Sequence, residues 1–94
     1  MKIAELNSNS RKIDITATVT EKEEPRDVNT RFGRTRVSEA TIEDDSGNIK
    51  LVLWGDEIDG IKVGDKVKIE NGFIKEWNGE MQLSAGKYGK VSVL

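Results

Sequence analysis

The chain has 94 residues, 35% apolar content and few aromatics, enough for one domain with a modest core. It contains no cysteine and no histidine, which removes disulfide frameworks, thiolate zinc sites, cysteine nucleophiles and histidine acid–base chemistry together. A net charge of −2 argues against nucleic-acid binding by bulk electrostatics, but the charges are segregated: Arg31, Arg34 and Arg36 form a basic stretch, whereas 43–45 and 56–59 are acid-rich.

No apolar run approaches the ~20 residues of a membrane span, and the N-terminus lacks the apolar centre of a signal peptide, so a soluble intracellular protein is expected. Residues 1–11 carry Ile3 and Leu6 and then a polar cluster, Asn7-Ser8-Asn9-Ser10, and read as an arm laid across the end of a domain that occupies 12–94. Ile13, Ile15, Ala17 and Val19 alternate with polar residues, which defines a strand with one buried face. Glu21 to Arg34, with mixed charges, Pro25 and Gly33, reads as a long loop or an extended, mobile hairpin.

A second strand follows from Thr35 to about Glu43, with Ala40 and Ile42 inward, and Asp44-Asp45-Ser46-Gly47 supplies a tight turn. In the third strand Ile49, Leu51 and Leu53 share one face, while Lys50, Val52 and Trp54 share the other. A large ring on the face that carries a lysine is a platform for something flat and anionic. Ile58, Ile61 and Val63 are expected to plug a barrel end, with at most one helical turn over 56–59.

The fourth strand starts at Asp65, with Val67 and Ile69 inward. Unbroken alternation would bury Asn71, so a bulge at Asn71-Gly72 is expected, which turns Ile74 inward and Phe73, Lys75 and Trp77 outward. Asn78-Gly79 is a strong hairpin signal and places Trp77 at the tip. The fifth strand puts Met81, Leu83 and Ala85 inward and Gln82 and Ser84 outward; Gly86 and Gly89 let it bend, and Val91 and Val93 close it against an earlier strand. Five strands without a substantial helix define an all-β, five-stranded barrel with a short plug between the third and fourth strands.

Trp54, Phe73 and Trp77 interleaved with Lys50 and Lys75 suit single-stranded nucleic acid, where rings stack on bases and cations follow phosphates. Gln82 shares the outward face. Carboxylates in the acid-rich turns read as solubility features in preference to a weak divalent-ion site. No cofactor or metal is implied, and no constellation suggests an enzyme.

The runs 37–42, 44–47, 49–55, 63–67, 69–73 and 81–83, in this order and spacing, resemble the OB domain of archaeal single-stranded-DNA-binding proteins and of replication protein A. The resemblance covers roughly residues 12–90. It implies an OB fold, sequence-tolerant binding of single-stranded DNA in replication and repair, better binding to pyrimidine runs, nucleoid association in the cytoplasm, and replication or repair proteins as partners. It matches the family's aromatic positions to Trp54, Phe73 and Trp77 and an aliphatic loop contact to Val28. In OB folds the loops between the first and second and between the fourth and fifth strands flank the groove, which adds Arg31, Arg34 and Arg36 as candidate phosphate contacts. The family's Gly/Arg-rich or acidic tail and Cys-rich zinc module are missing, so the chain reads as one domain of a longer multi-OB protein or a minimal version. A single-stranded RNA-binding OB domain and a protein-interaction module are the alternatives; Phe32 and Tyr88 have no assignment.

Overall fold

The computed structural model describes residues 2–7, 9–31, 33–77, 79–85 and 89–94; the Trp77 and Asp56 side chains lie outside this description, as do Phe32, Asn78, Gly86, Lys87 and Tyr88. A short 3-10 turn, Ile3–Glu5, precedes β1 (Arg11–Lys22), β2 (Arg26–Thr30), β3 (Gly33–Asp44), β4 (Gly47–Trp54), α1 (Asp56–Asp59), β5 (Lys66–Trp77), β6 (Glu80–Ser84) and β7 (Lys90–Val93). The barrel runs β1-β3-β4-β6-β5 and closes by β5 pairing with β1. The β4–β6 contact is parallel and the other barrel pairings are antiparallel. This is the expected five-stranded barrel with two additions. The segment expected to be a loop or an extended hairpin forms β2 as a hairpin with β3, and β7, with the Val91 and Val93 expected to close against an earlier strand, pairs with β5.

Alternation explains the core. Ile13, Ile15, Ala17 and Val19 are no more than 3% exposed, and Ile42, Leu51, Leu53, Ile69 and Leu83 are fully buried. The plug is made by Ile58 and Ile61, which are buried, and the expectation for Val63 is corrected: it is 60% exposed. Lys62 and Asp65 close a turn, with the Asp65 N–H donating to the Lys62 carbonyl at 3.0 Å and the Lys62 N–H donating to Asp65 Oδ2 at 2.9 Å, so Val63 sits at the turn's tip. Lys22 Nζ donates to the carbonyls of Ile58 and Ile61, the latter at 2.7 Å, and thereby satisfies carbonyls around the end of α1.

The bulge lies where the Asn-Gly pair placed it. Ile15 faces Ile69 but Ile13 faces Gly72, so two residues of β1 are matched by three of β5. Asn71 carries the positive φ (54°), and its N–H donates to Asp14 Oδ1 at 3.0 Å. A second irregularity follows on β1, where Lys12 also has a positive φ. After the phase shift Gly72 and Ile74 point inward, and Phe73 and Lys75 point outward. Gly72 sits in a tight place, since a Cβ there would stand 3.0 Å from Ile69 and 3.2 Å from both Leu83 and the Ser84 carbonyl and would need those neighbours to give way. Met81 departs from its expected inward place and is 37% exposed beside Ile3, Leu6 and Ile49 at the end of the barrel.

Asp44 ties the N-terminal segment to the β3–β4 turn. Its Oδ2 accepts from the Ile3 N–H at 2.8 Å, its Oδ1 accepts from the N–H of Ser46 and of Gly47, and Ile3 and Leu6 are buried in the core cluster. Burial alone pushes this carboxyl up, but the hydrogen bonds from the Ser46 side chain and the Ile3, Ser46 and Gly47 backbone outweigh it and hold the group at about 2, below the ordinary 3.8. A depressed folded-state value stabilises the fold above 3.8, and that contribution disappears as pH falls through about 2. Asp44→Ala is therefore expected to lower stability at neutral pH by about 2 kcal/mol, the scale of hydrogen bonds to a charged acceptor. In urea titrations the gap between wild type and variant should close as the pH is taken down through that window. A gap that does not depend on pH would assign the loss to packing alone.

Candidate nucleic-acid interface

Cross-strand register sets out the outer face of the barrel. Val37 faces Trp54, Glu39 faces Val52, and Thr41 faces Lys50. Across the parallel junction Val52 faces Ser84 and Lys50 faces Gln82, and on the far side Ser84 faces Phe73 and Gln82 faces Lys75. Two rows result: Glu39–Val52–Ser84–Phe73 and Thr41–Lys50–Gln82–Lys75. The β2 hairpin leans over one end of this face and makes a groove with it. Its lining comprises Arg26, Val28, Asn29 and Thr30 from β2, Val37 and Glu39 from β3, Val52 and Trp54 from β4, Lys75 from β5, and Gln82 from β6.

Trp54 is 41% exposed and Phe73 37%. The Trp54 N–H donates to Glu57 Oε1 at 3.0 Å, and the following N–H, of Gly55, donates to the Arg36 carbonyl at 2.9 Å, so the strand end that presents the ring is pinned on both sides. Gly55 takes a positive φ of 54° where the chain leaves the strand for α1. Gln82 faces outward as expected but is only 8% exposed, because its Nε2 donates to Glu39 Oε1 at 2.7 Å. Ser84, also expected outward, is 7% exposed.

Of the residues singled out in the sequence, Val28, Trp54, Lys75 and Gln82 converge on the groove. Arg31 and Arg34 line an adjoining hollow that shares Thr30 and Trp54 with it. Arg34 bonds Asp27 at 3.0 Å with both side chains largely exposed, an ion pair worth about 0–1 kcal/mol that leaves the guanidinium easily redirected. Lys50 and Phe73 belong to the same face by register, though they do not line the groove itself. Arg36 is drawn elsewhere: its guanidinium bonds Asp59 at 2.8 Å and holds that carboxyl below its ordinary range. Trp77 has its backbone in β5, paired with Glu80, while its ring lies outside the described residues.

The sequence reading missed Arg26, Val37 and Glu39. Val37 is 5% exposed yet stands outside the core cluster, because it floors the groove. Parity held the signal, since Val37 and Glu39 are out of phase with the inward Ala40 and Ile42. Among the described residues no group of three or more metal-ligating side chains converges, and no helix is long and apolar enough to cross a membrane.

A closed five-stranded barrel with this pairing order defines an OB-fold domain, here with an aromatic and cationic groove across its face. A family model described as single-stranded DNA binding protein Ssb-like, OB fold, matches residues 6–93, and the chain belongs to that family. The single-stranded DNA binding protein Ssb of Saccharolobus solfataricus is 37% identical over 91 residues, covering 97% of this chain and 62% of that protein. Replication factor A of Methanothermobacter thermautotrophicus is 34% identical over 96 residues, covering 96% of this chain and 12% of that protein. The chain thus spans less than two thirds of either relative. Among solved structures, the OB domain of a Thermoplasma acidophilum protein superposes with a TM-score of 0.86 at 20% identity, covering 100% of this chain and 85% of that one, a likeness of fold. A replication factor A related protein from Methanobacterium thermoautotrophicum superposes with a TM-score of 0.80 at 25% identity, covering 100% of this chain and 89% of that one.

Proposed function

We propose that this domain binds single-stranded DNA with little sequence preference, as part of replication and repair. Unpaired bases stack on Trp54 and Phe73, with Trp77 as a third platform, and Lys75, Lys50, Arg31 and Arg34 take the phosphates. The observation that carries this reading is the exposed Trp54 ring at a groove that also holds Lys75 and an aliphatic floor. Each stacked base contributes about 1–3 kcal/mol, so three platforms together with phosphate contacts supply the ~8 kcal/mol of micromolar affinity, and a net charge of −2 is no obstacle. Replication and repair proteins are the proposed partners, with this domain one of several OB units.

The test is titration of tryptophan fluorescence with oligo-dT, oligo-U and duplex at several salt concentrations. Quenching by single strands and none by duplex is expected, with affinity falling with salt by a log–log slope of about −0.7 per phosphate neutralised. Lys75→Ala should make that slope shallower by about 0.7. Emission unmoved by every single strand would sink the proposal. Clear preference for oligo-U over oligo-dT would instead favour an RNA ligand, since only contacts to the 2′-OH separate the sugars.

A further inference from the structure

The groove contains one carboxylate that stacking and phosphate binding leave unused. Glu39 lines it beside Trp54, Val37, Val52 and Lys75, and its Oε1 accepts the Gln82 amide at 2.7 Å. A negative charge in a channel for a polyanion repels phosphates. Its place is therefore under the bases, while the sugar–phosphate chain follows Arg26 and Lys75.

Position makes this contact feasible. Glu39 stands directly opposite Val52, and Trp54 is the next side chain along the same face of β4. Diagonal neighbours of this kind are about 7–8 Å apart at their roots, so a base stacked on Trp54 carries its edge over Glu39. An ionised carboxylate only accepts hydrogen bonds, and the Gln82 bond fixes its orientation while leaving Oε2 to accept another. Exocyclic amino groups match this requirement, and the cytosine N4 amino group is a recognised partner of Glu. Uracil and thymine present a carbonyl oxygen at the same position, so acceptor meets acceptor.

We propose that Glu39, held by Gln82, is a base-edge reader that gives the groove a preference for amino-bearing bases, cytosine over uracil among the pyrimidines. This rests on the single-strand reading above and adds a modest bias to an otherwise tolerant site.

Oligo-dC and oligo-dU of equal length test it, because they share backbone, charge and ring size and differ only along the base edge. At mildly alkaline pH, where cytosine is unprotonated, wild type should bind oligo-dC about five-fold or more tightly than oligo-dU. Glu39→Gln, which keeps the size of the side chain, should strengthen both by relieving phosphate repulsion and bring the dC/dU ratio close to one. Glutamine keeps an acceptor but adds a donor that can meet the uracil carbonyl, whereas Glu39→Leu removes both, and the same collapse of the ratio is expected there, with circular dichroism verifying the fold. Equal wild-type affinities, or a ratio unchanged in both variants, would overturn the edge-reading role while single-strand binding stands. Absence of binding to either oligonucleotide would overturn both.

Discussion

Trp54→Ala should weaken binding of a labelled oligo-dT by about 1–3 kcal/mol, roughly five- to 150-fold, and lower the thermal midpoint by several degrees while the transition stays cooperative. The two halves of this expectation have separate causes. The ring is 41% exposed and outside the core cluster, so truncation loses the covered part of the ring against its neighbours but leaves no enclosed cavity. Its stacking surface is the largest described on the groove, and the aliphatic floor of Val37 and Val52 offers no flat replacement. Anisotropy of the labelled strand is the proper measurement because the variant loses an intrinsic fluorophore. Phe73→Ala should add a further loss, since Phe73 stands on a neighbouring row across β6. If both single variants and the double variant bind like wild type, the aromatic face serves another partner, and the protein-interaction reading takes precedence.

Asn71→Val is expected to destabilise the domain by about 1–2 kcal/mol, read as a lower urea midpoint. Asn71 is the extra residue in the β5 bulge, with φ of 54°, a left-handed conformation that asparagine tolerates and a β-branched side chain adopts only under strain. Closing the bulge offers no relief, because unbroken alternation from Ile69 would turn Phe73 and Lys75 inward and Ile74, now 7% exposed, out to solvent. Loss of a buried isoleucine costs about 1.5–3 kcal/mol, and a buried unpaired ammonium costs several more, which together exceed the local strain. Gly72→Ala keeps the phase but sets a Cβ 3.0–3.2 Å from Ile69, Leu83 and Ser84, so it is accommodated only where those neighbours give way. An Asn71→Val variant as stable as wild type would remove the bulge from its role in presenting Phe73.

Much of the barrel was legible because one-sided burial writes itself into a chain as period-2 alternation. The inward sets of β1, β3 and β4 could be read directly, and the place where alternation would have buried Asn71 located the bulge. Errors came where position depends on chain ends or on neighbours far away in sequence. Val63 follows Ile58 and Ile61 in composition but sits at a turn's tip, and Met81 has inward parity yet lies at the barrel's open end. The arginine cluster reads as one basic patch, but the structure divides it, with Arg31 and Arg34 beside Trp54 and Arg36 on Asp59.

The sequence by itself determined which face each strand buries, the outward Trp54 and Phe73, and the phase shift between Ile69 and Ile74, because these follow from local alternation and turn chemistry. Only the tertiary structure decided that β2 folds over as a groove wall, that Val37 becomes its floor, and that Glu39 meets Gln82 across β4. These last contacts depend on the parallel β4–β6 register between residues some 30 positions apart, and no local pattern encodes a register between distant strands.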